Sequence, residues 1–349
     1  MTIETLLLAG IETLEEYLAL HVLMCLVPAF FLAGAIASLF SKESVLRYFG
    51  AGAPKYISYS VASVSGVLLA VCSCTVLPLF AGIYKRGAGI GPASTFLFAA
   101  PAINLLAIVY TAQILGFEIG AARAIAAVGI SIVIGLLMAT IFRSEDNAKS
   151  RMISADDEIE IEIDPLHQTG IFMLLLVILV LGGIVEAWMW RGLLIGPLVL
   201  LTVYVSRKWF DDEHIHDWMY ETWDLTKKIF PLLLVGVFFA GIIVELIPSD
   251  LVVRFVGGNS VRSNLIAAVA AALMYFATLT EVPIIDSLTR LGMGEGPVLA
   301  MLLAGPALSL PNMIVISRVM GVRKASVYIT LTAILATIAG FVAGTTIWR

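Results

Sequence analysis

The sequence predicts an all-α integral membrane protein with about eight transmembrane helices and two re-entrant hairpins, arranged as two inverted repeats. Three observations support this fold class. The composition is strongly apolar, two apolar stretches are interrupted near their middle, and a set of glycine and proline motifs recurs 205 residues later.

The composition excludes a soluble globule. Of the 349 residues, 60% are hydrophobic and 13% are charged, whereas soluble domains contain about 45–50% and about 25%. The charges are too few to cover a water-facing surface, so a lipid bilayer is the expected surrounding. The net charge is −5 and no basic run is interleaved with aromatic residues, so no nucleic-acid partner is expected. No cofactor is expected either.

The N-terminal residues 1–14 predict a short amphipathic helix that lies on the membrane. A spanning helix needs about 20 mostly apolar residues. The candidate spans are 17–40, 92–115, 121–142, 168–187, 192–205, 229–247, 297–317 and 325–347.

Two further apolar stretches, 57–84 and 263–289, are interrupted near their middle and are related by the repeat. Thr75-x-x-Pro78 recurs as Thr280-x-x-Pro283. At the same offset, Gly-x-Gly-x-Gly-Pro at 87–92 recurs at 292–297, and Ala-x-Pro-Ala at 99–102 recurs at 304–307. Glycines and prolines that match at one fixed offset indicate a duplication, because chance matches in an apolar chain involve mainly aliphatic residues.

The distribution of Lys and Arg predicts the topology of the interrupted stretches. If both cross the membrane, the 21 basic residues divide 11 to 10; if both are re-entrant hairpins, they divide 15 to 6 with the larger set inside. The hairpin arrangement is therefore expected, with an odd number of crossings between the halves that inverts the second one. The outside set is Arg123, Arg191, Arg254, Arg262, Arg290 and Arg349.

The predicted organisation has five segments in the cell membrane, with the N-terminus outside. They are an amphipathic N-terminal helix (1–14), a first membrane repeat (15–142), an acidic cytoplasmic linker (143–167), connecting helices with a polar loop (168–228) and a second membrane repeat (229–349). Within the linker, residues 157–164 alternate with period two, which fits an extended strand or, as favoured here, a solvated linker.

Cys72-Ser73-Cys74 at the tip of the first hairpin is the sharpest local motif. Non-helical backbone at membrane depth is tolerated where it lines a cavity. Thr75 is expected to N-cap the returning half-helix, whose positive end favours thiolates. Thiolates bind thiophilic species such as trivalent arsenic or Cu(I); the alternative is that both cysteines are small apolar fillers. Cys25 is either a third thiol ligand or a packing residue.

The tip of the second hairpin carries Thr278, Thr280 and Glu281 in place of cysteines. An ionisable group at membrane depth is a functional candidate, so Glu281 is expected to carry a coupling proton or a cation, or else to cap its helix. The helices that follow the hairpins contain further polar residues. Asn104, Ser309 and Asn312 are expected to face the same cavity or to form interhelical hydrogen bonds.

Three other polar features have weaker implications. Glu186 and Glu245 are expected at the membrane interface. The pair His214 and His216 lies among acidic residues, which fits a weak metal patch or, as favoured here, a solvated cytoplasmic loop.

The segments Cys72-Ser73-Cys74-Thr75-Val76-Leu77-Pro78-Leu79 and Ala100-Pro101-Ala102-Ile103-Asn104, with the glycine-rich turn between them, resemble the predicted permease family that includes bacterial organoarsenical efflux permeases. The resemblance covers roughly residues 15–142 and 229–347. It implies a multi-pass inner-membrane transporter, and for some relatives the export of trivalent organoarsenicals. The thiol motif of the family carries over to Cys72 and Cys74, whereas the second half has Thr-Glu-Val-Pro without a cysteine.

The expected function is a secondary transporter that moves a small thiophilic solute with proton or ion coupling, since no ATP-binding motif is present. The alternative is a membrane thiol or sulfur oxidoreductase that uses Cys72 and Cys74. A passive channel is disfavoured because pore-lining charges are scarce.

Overall fold

The computed structural model describes residues 3–18, 26–39, 49, 54–69, 73–146, 164–184, 188–246, 255–274 and 281–348. These residues form fifteen helices and no strand, apart from an isolated antiparallel bridge between Gly257 and Met293. The described part of the chain is therefore all-helical, as predicted.

In chain order the helices are α1 (Ile3–Tyr17), α2 (Val27–Ser38), α3 (Lys55–Leu69), α4 (Ser73–Lys85), α5 (Ile90–Ala102), α6 (Leu105–Ile114), α7 (Phe117–Ile141), α8 (Pro165–Ile184), α9 (Trp188–Trp209), α10 (Asp212–Leu246), α11 (Val261–Leu273), α12 (Glu281–Arg290), α13 (Glu295–Leu308), α14 (Leu310–Met320) and α15 (Val322–Thr346).

In the part of the chain that the structure describes, two helices, α7 and α15, are long and apolar enough to cross a membrane. Among the described residues this number rises to four if α5 with α6, and α13 with α14, each form one bent span. The bends are 43° and 48°, so the expected spans 92–115 and 297–317 are not continuous helices. Their prolines, Pro101 and Pro306, each lack the amide that would continue the helical ladder.

Helices α3–α7 and α11–α15 follow one another in the same order with matching turns. The turn before α5 contains Gly87 and the turn before α13 contains Gly292, both with φ of 107°. The turns before α7 and α15 contain Gly116 and Gly321, with φ of 102° and 88°. Glycine adopts positive φ at no steric cost, which explains why this residue type stands at each of these turns, 205 positions apart.

The packing of the two sets is also matched. Within each set the first, third and fifth helices pack against one another, and the fourth packs against the fifth. Between the sets, α4 packs against α14 and α6 packs against α12. The second helix of each set therefore contacts the fourth helix of the other.

Glycines allow close crossings of the long helices α7 and α15 with α5 and α13, respectively. On α7 a Cβ added at Gly135 would lie 2.8 Å from the carbonyl oxygen of Gly91 on α5. On α15 a Cβ at Gly340 would lie 2.5 Å from the carbonyl oxygen of Gly296 on α13. Real Cβ atoms do not approach backbone oxygens so closely, so both crossings require small residues, as in other membrane helix pairs.

Helix α10 is longer than the sequence predicts. It has 35 residues, or about 52 Å at 1.5 Å per residue, and it includes both the expected span 229–247 and most of the polar segment before it. The expectation of a solvated loop at 211–217 is therefore wrong, because α10 begins at Asp212. Helix α10 packs against α1, α2 and α14.

Several predictions concern residues outside the described ranges. These are Cys25, Cys72, Thr278, Thr280 and Glu186, residues 19–25 of the span 17–40 and most of the alternating acidic segment. The side chains of Ser73, Cys74 and Glu245 are also outside the described part, although their backbones lie in helices.

Candidate functional site

The Cys-Ser-Cys motif leads directly into α4. Ser73 and Cys74 are the first two residues of this helix, and Thr75 is buried in its first turn. The expectation that Thr75 is the N-cap is therefore wrong, since the helix begins two residues earlier. Pro78 consequently lies inside α4, where its missing amide leaves the carbonyl of Cys74 without its helical donor.

Helices α4 and α14 end together and therefore begin at a similar depth. Ala81 and Lys85, near the end of α4, line a cavity of about 430 Å³ together with Arg318 and Val319, near the end of α14. The helices have 13 and 11 residues, so they are about 20 Å and 17 Å long. Both helix starts lie roughly half a membrane thickness from this cavity. The N-terminal ends of α4 and α14, which carry the positive ends of the helix dipoles, therefore lie at a similar depth in the protein.

The start of α14 adds buried polar atoms to this level. Ser309 precedes the helix without capping it, and its hydroxyl is buried without a partner among the described residues. The Asn312 side chain is buried and donates a 3.2 Å hydrogen bond to the carbonyl of Pro306. Asn104, the counterpart of Ser309 at the other helix break, is likewise buried. The Asn312 amide is thus bonded to a carbonyl at the helix break, whereas the Ser309 hydroxyl has no hydrogen-bond partner among the described residues.

Glu281 is the first residue of α12 and is fully buried. Its Oε2 accepts a 3.1 Å hydrogen bond from Nη2 of Arg123 on α7, and both side chains have 0% exposure. Arg123 also donates from Nη1 to the Thr111 hydroxyl on α6 at 2.9 Å. Thr111 in turn donates to the carbonyl of Ala107 at 2.6 Å. The expected first-turn position of Glu281 is confirmed, and the structure gives this carboxylate a cationic partner.

Arg123 is the residue of this buried contact that the sequence analysis did not single out. It was assigned to the outside set of loop charges, although it falls inside the expected span 121–142. The structure buries it completely, so it does not contribute to the charge bias as a loop residue. The sequence did contain the relevant indication, because an ionisable side chain within a span is a functional candidate wherever it occurs.

A group of charged residues lies at the end of the protein where α4 and α14 finish. Lys85 pairs with Glu221 and with Asp224 (3.3 Å), and Asp224 also pairs with Lys228 at 2.7 Å. Partial burial raises the pKa of Asp224, but hydrogen bonds from Lys228 and Lys85 outweigh it and hold the pKa below its ordinary value. Burial likewise lowers the pKa of Lys85, whereas its hydrogen bonds to Glu221 and Asp224 raise it overall.

The same end contains further polar contacts between the two halves. Lys324 at the start of α15 contacts the Tyr84 hydroxyl at 3.3 Å and Glu145 at 3.1 Å. Arg323 pairs with Glu145 at 3.1 Å. All the basic residues in these contacts belong to the set that the charge distribution assigns to the inside.

The histidine patch does not form a metal site in the described part of the chain, where no group of three potential ligands is found. His214 lies in the first turn of α10, and its two ring nitrogens are buried without partners among the described residues. His216 is exposed, at 3.6 Å from Asp217. The structure therefore does not bring the two histidines together as ligands.

Comparisons with known proteins give a consistent result. A family model described as a predicted permease, ArsP_1, matches residues 7–345. The UPF0718 protein MJ0584 of Methanocaldococcus jannaschii is 48% identical over 347 residues, which cover 96% of this chain and 94% of the relative. The UPF0718 protein YraQ of Escherichia coli is 24% identical over 275 residues, which cover 78% and 63%. No solved structure matches the chain.

Proposed function

Because the chain belongs to the ArsP_1 family of predicted permeases, and is thus a membrane permease, we propose that it is a secondary transporter of a small thiophilic solute. A trivalent organoarsenical is the substrate that the thiol motif fits best, and Cys72 and Cys74 are its ligands. The supporting observation is that the Cys-Ser-Cys motif leads into the start of α4, which packs beside α14. The C-terminal ends of these two helices line one cavity.

The proposed site combines two thiols with polar side chains that carry no negative charge. Thr75, Ser309 and Asn312 are buried near the starts of α4 and α14. The two positive helix ends favour thiolate over thiol and so strengthen binding of a soft, electron-poor centre. Entry from the inside would proceed through the cavity between α4, α10 and α14, which contains Arg318 and the Lys85–Asp224 pair.

The proposal includes two inverted repeats with one re-entrant hairpin each. It is supported by the matched order and turns of α3–α7 and α11–α15, and by the exchanged contacts α4 with α14 and α6 with α12. A hairpin also brings both ends of an interrupted stretch to one side. The amide of Gly89 donates to the carbonyl of Phe49 at 2.7 Å, and the amide of Gly294 donates to that of Val256 at 3.2 Å. A full crossing would separate each pair by about 30 Å.

Transport by purified protein in liposomes tests the proposal, with a trivalent arylarsenical as the solute. The double variant Cys72→Ser with Cys74→Ser is expected to lose transport, while Cys25→Ser tests whether the third thiol is also a ligand. Transport at the wild-type rate in the double variant would exclude the thiol mechanism. A mixed disulfide trapped with a partner protein in cells would instead support the oxidoreductase alternative.

A further inference from the structure

The ion pair between Arg123 and Glu281 joins the two halves of the chain. Arg123 lies on α7 of the first set and Glu281 begins α12 of the second, yet both side chains are fully buried at 3.1 Å. Arg123 is six residues into α7, or about 9 Å from its start. The pair therefore lies inside the protein and not at its surface.

Neither member of the pair is fully satisfied. Nε of Arg123 and Oε1 of Glu281 are buried without a hydrogen-bond partner among the described residues. Burial of two charges is costly, and the cost is recovered only when the remaining donors and acceptors are also bonded. The charge on Glu281 thus depends on one hydrogen bond from Arg123, while one oxygen stays free to take a proton.

The fold itself does not require a charged pair at this place. In the other half, 205 residues away from each member, stand Tyr328 and Val76, both buried and both uncharged at neutral pH. The matched architecture is thus compatible with uncharged residues at the equivalent positions. Of the two equivalent pairs of positions, one therefore holds charges and the other does not, which is expected of a group with a functional task.

The surroundings of Glu281 isolate the pair from other charges. Helices α6 and α13 both pack against α12; α6 contains no Asp, Glu, His, Lys or Arg, and α13 has no titratable side chain between Gly296 and Leu308. On α12 itself the next charged residues are Asp286 and Arg290, which pair with each other at 2.9 Å. Among the described residues, Arg123 is thus the charged group in contact with Glu281.

The geometry points to Glu281 as the binding site for the coupling proton of this permease, with Arg123 as its counter-ion. The inference rests on the proposed transport function and identifies the ion that drives it. A proton that binds a carboxylate oxygen of Glu281 cancels its charge and removes its attraction to Arg123. The guanidinium keeps its own protons and its hydrogen bond to Thr111. The link between α12 and α7, and with it one link between the halves, is thereby weakened in the protonated state.

Transport in liposomes can separate coupling from transport itself. The variant Glu281→Gln should retain solute exchange at equal pH on both sides, because exchange needs no net proton movement. It should lose accumulation driven by a pH gradient and lose the proton flux that accompanies solute. The control is Asp286→Asn with Arg290→Gln, which removes an exposed pair from the same helix and should behave like the wild type. Gradient-driven accumulation by Glu281→Gln would overturn the inference.

Two further measurements keep the test decisive. If Glu281→Gln alone does not fold, Arg123→Gln with Glu281→Gln leaves no stranded charge and must show the same loss of coupling. Infrared difference spectra between acidic and neutral pH need no solute, and should show a protonated carboxyl band in the wild type that is missing in Glu281→Gln. If the band is as strong in Glu281→Gln as in the wild type, the inference is overturned. The absence of any solute exchange by the wild type would contradict the proposed function alone.

Discussion

The amide of Gly89 donates a 2.7 Å hydrogen bond to the carbonyl of Phe49, which joins the two flanks of the interrupted stretch 57–84. The equivalent bond in the second half runs from Gly294 to Val256 at 3.2 Å. In each half, the chain therefore returns to the place from which it left. These hydrogen bonds predict that the two flanks of each interrupted stretch lie on the same side of the membrane.

Cysteine accessibility tests that topology. In a background with the native cysteines replaced, Lys55→Cys and Lys85→Cys should react with an impermeant maleimide from the same side, because they flank the first stretch. Arg262→Cys and Arg290→Cys, which flank the second, should both react from the opposite side if the halves are inverted. Reaction of Lys55→Cys and Lys85→Cys from different sides would exclude the hairpin arrangement.

The glycine crossings predict a pair of matched stability losses. Gly135→Ala and Gly340→Ala each push a methyl group against a backbone oxygen of the neighbouring helix, and each should cost about 1–3 kcal/mol of unfolding free energy. Gly129→Ala on α7 is the control, since its Cβ would meet nothing within 4 Å. That variant should be neutral or gain up to about 1 kcal/mol from helix propensity. Denaturant titration in detergent micelles measures all three.

The buried ion pair predicts a strongly non-additive stability change. Arg123→Gln or Glu281→Gln alone should cost about 3–5 kcal/mol if the remaining partner keeps its buried charge. The double variant should lose less than the sum of the two, because no charge is left unpaired. The exposed pair Asp286 and Arg290 should contribute below about 1 kcal/mol. Strict additivity in the double-mutant cycle would show that the two side chains do not interact.

The charged residues near the end of α4 predict that the stability of the protein falls both in acid and in alkali. Asp224 has a folded pKa below its ordinary 3.8, so its contribution is complete above that value and is lost as pH falls through the lowered pKa. Lys85 has a folded pKa above 10.5, so its contribution is complete below 10.5 and is lost as pH rises through the raised pKa.

Variants at these positions measure the contribution. Lys85 is 44% exposed, so solvent screening limits the loss in Lys85→Gln or Asp224→Asn to about 1 kcal/mol or less at neutral pH. The difference between Asp224→Asn and the wild type should disappear in acid. Lys208→Gln, which removes an exposed cation on α9 that has no ion pair in the described contacts, is the control and should be neutral across the range. A loss in Asp224→Asn that persists in strong acid would contradict the assignment.

Much of the fold follows from sequence patterns that act locally. Apolar composition and helical length determine the all-α class, and Gly87 and Gly292 determine two turns because other residues avoid positive φ. The first-turn position of Glu281 was predicted from the interruption that precedes it. Helix boundaries were less accurate: α4 begins before Thr75, and α10 continues through a segment whose many charges predicted a loop. Packing of α10 against α2 and α14 stabilises helix where local polarity alone does not.

The sequence by itself determined that the protein is a helical membrane protein with a duplicated motif set, because composition, glycine and proline act through near neighbours. The tertiary structure decided that Arg123 pairs with Glu281, 158 residues further along the chain, and that α4 lies beside α14. Such partnerships depend on which helices pack together, and the local sequence of neither partner encodes that choice.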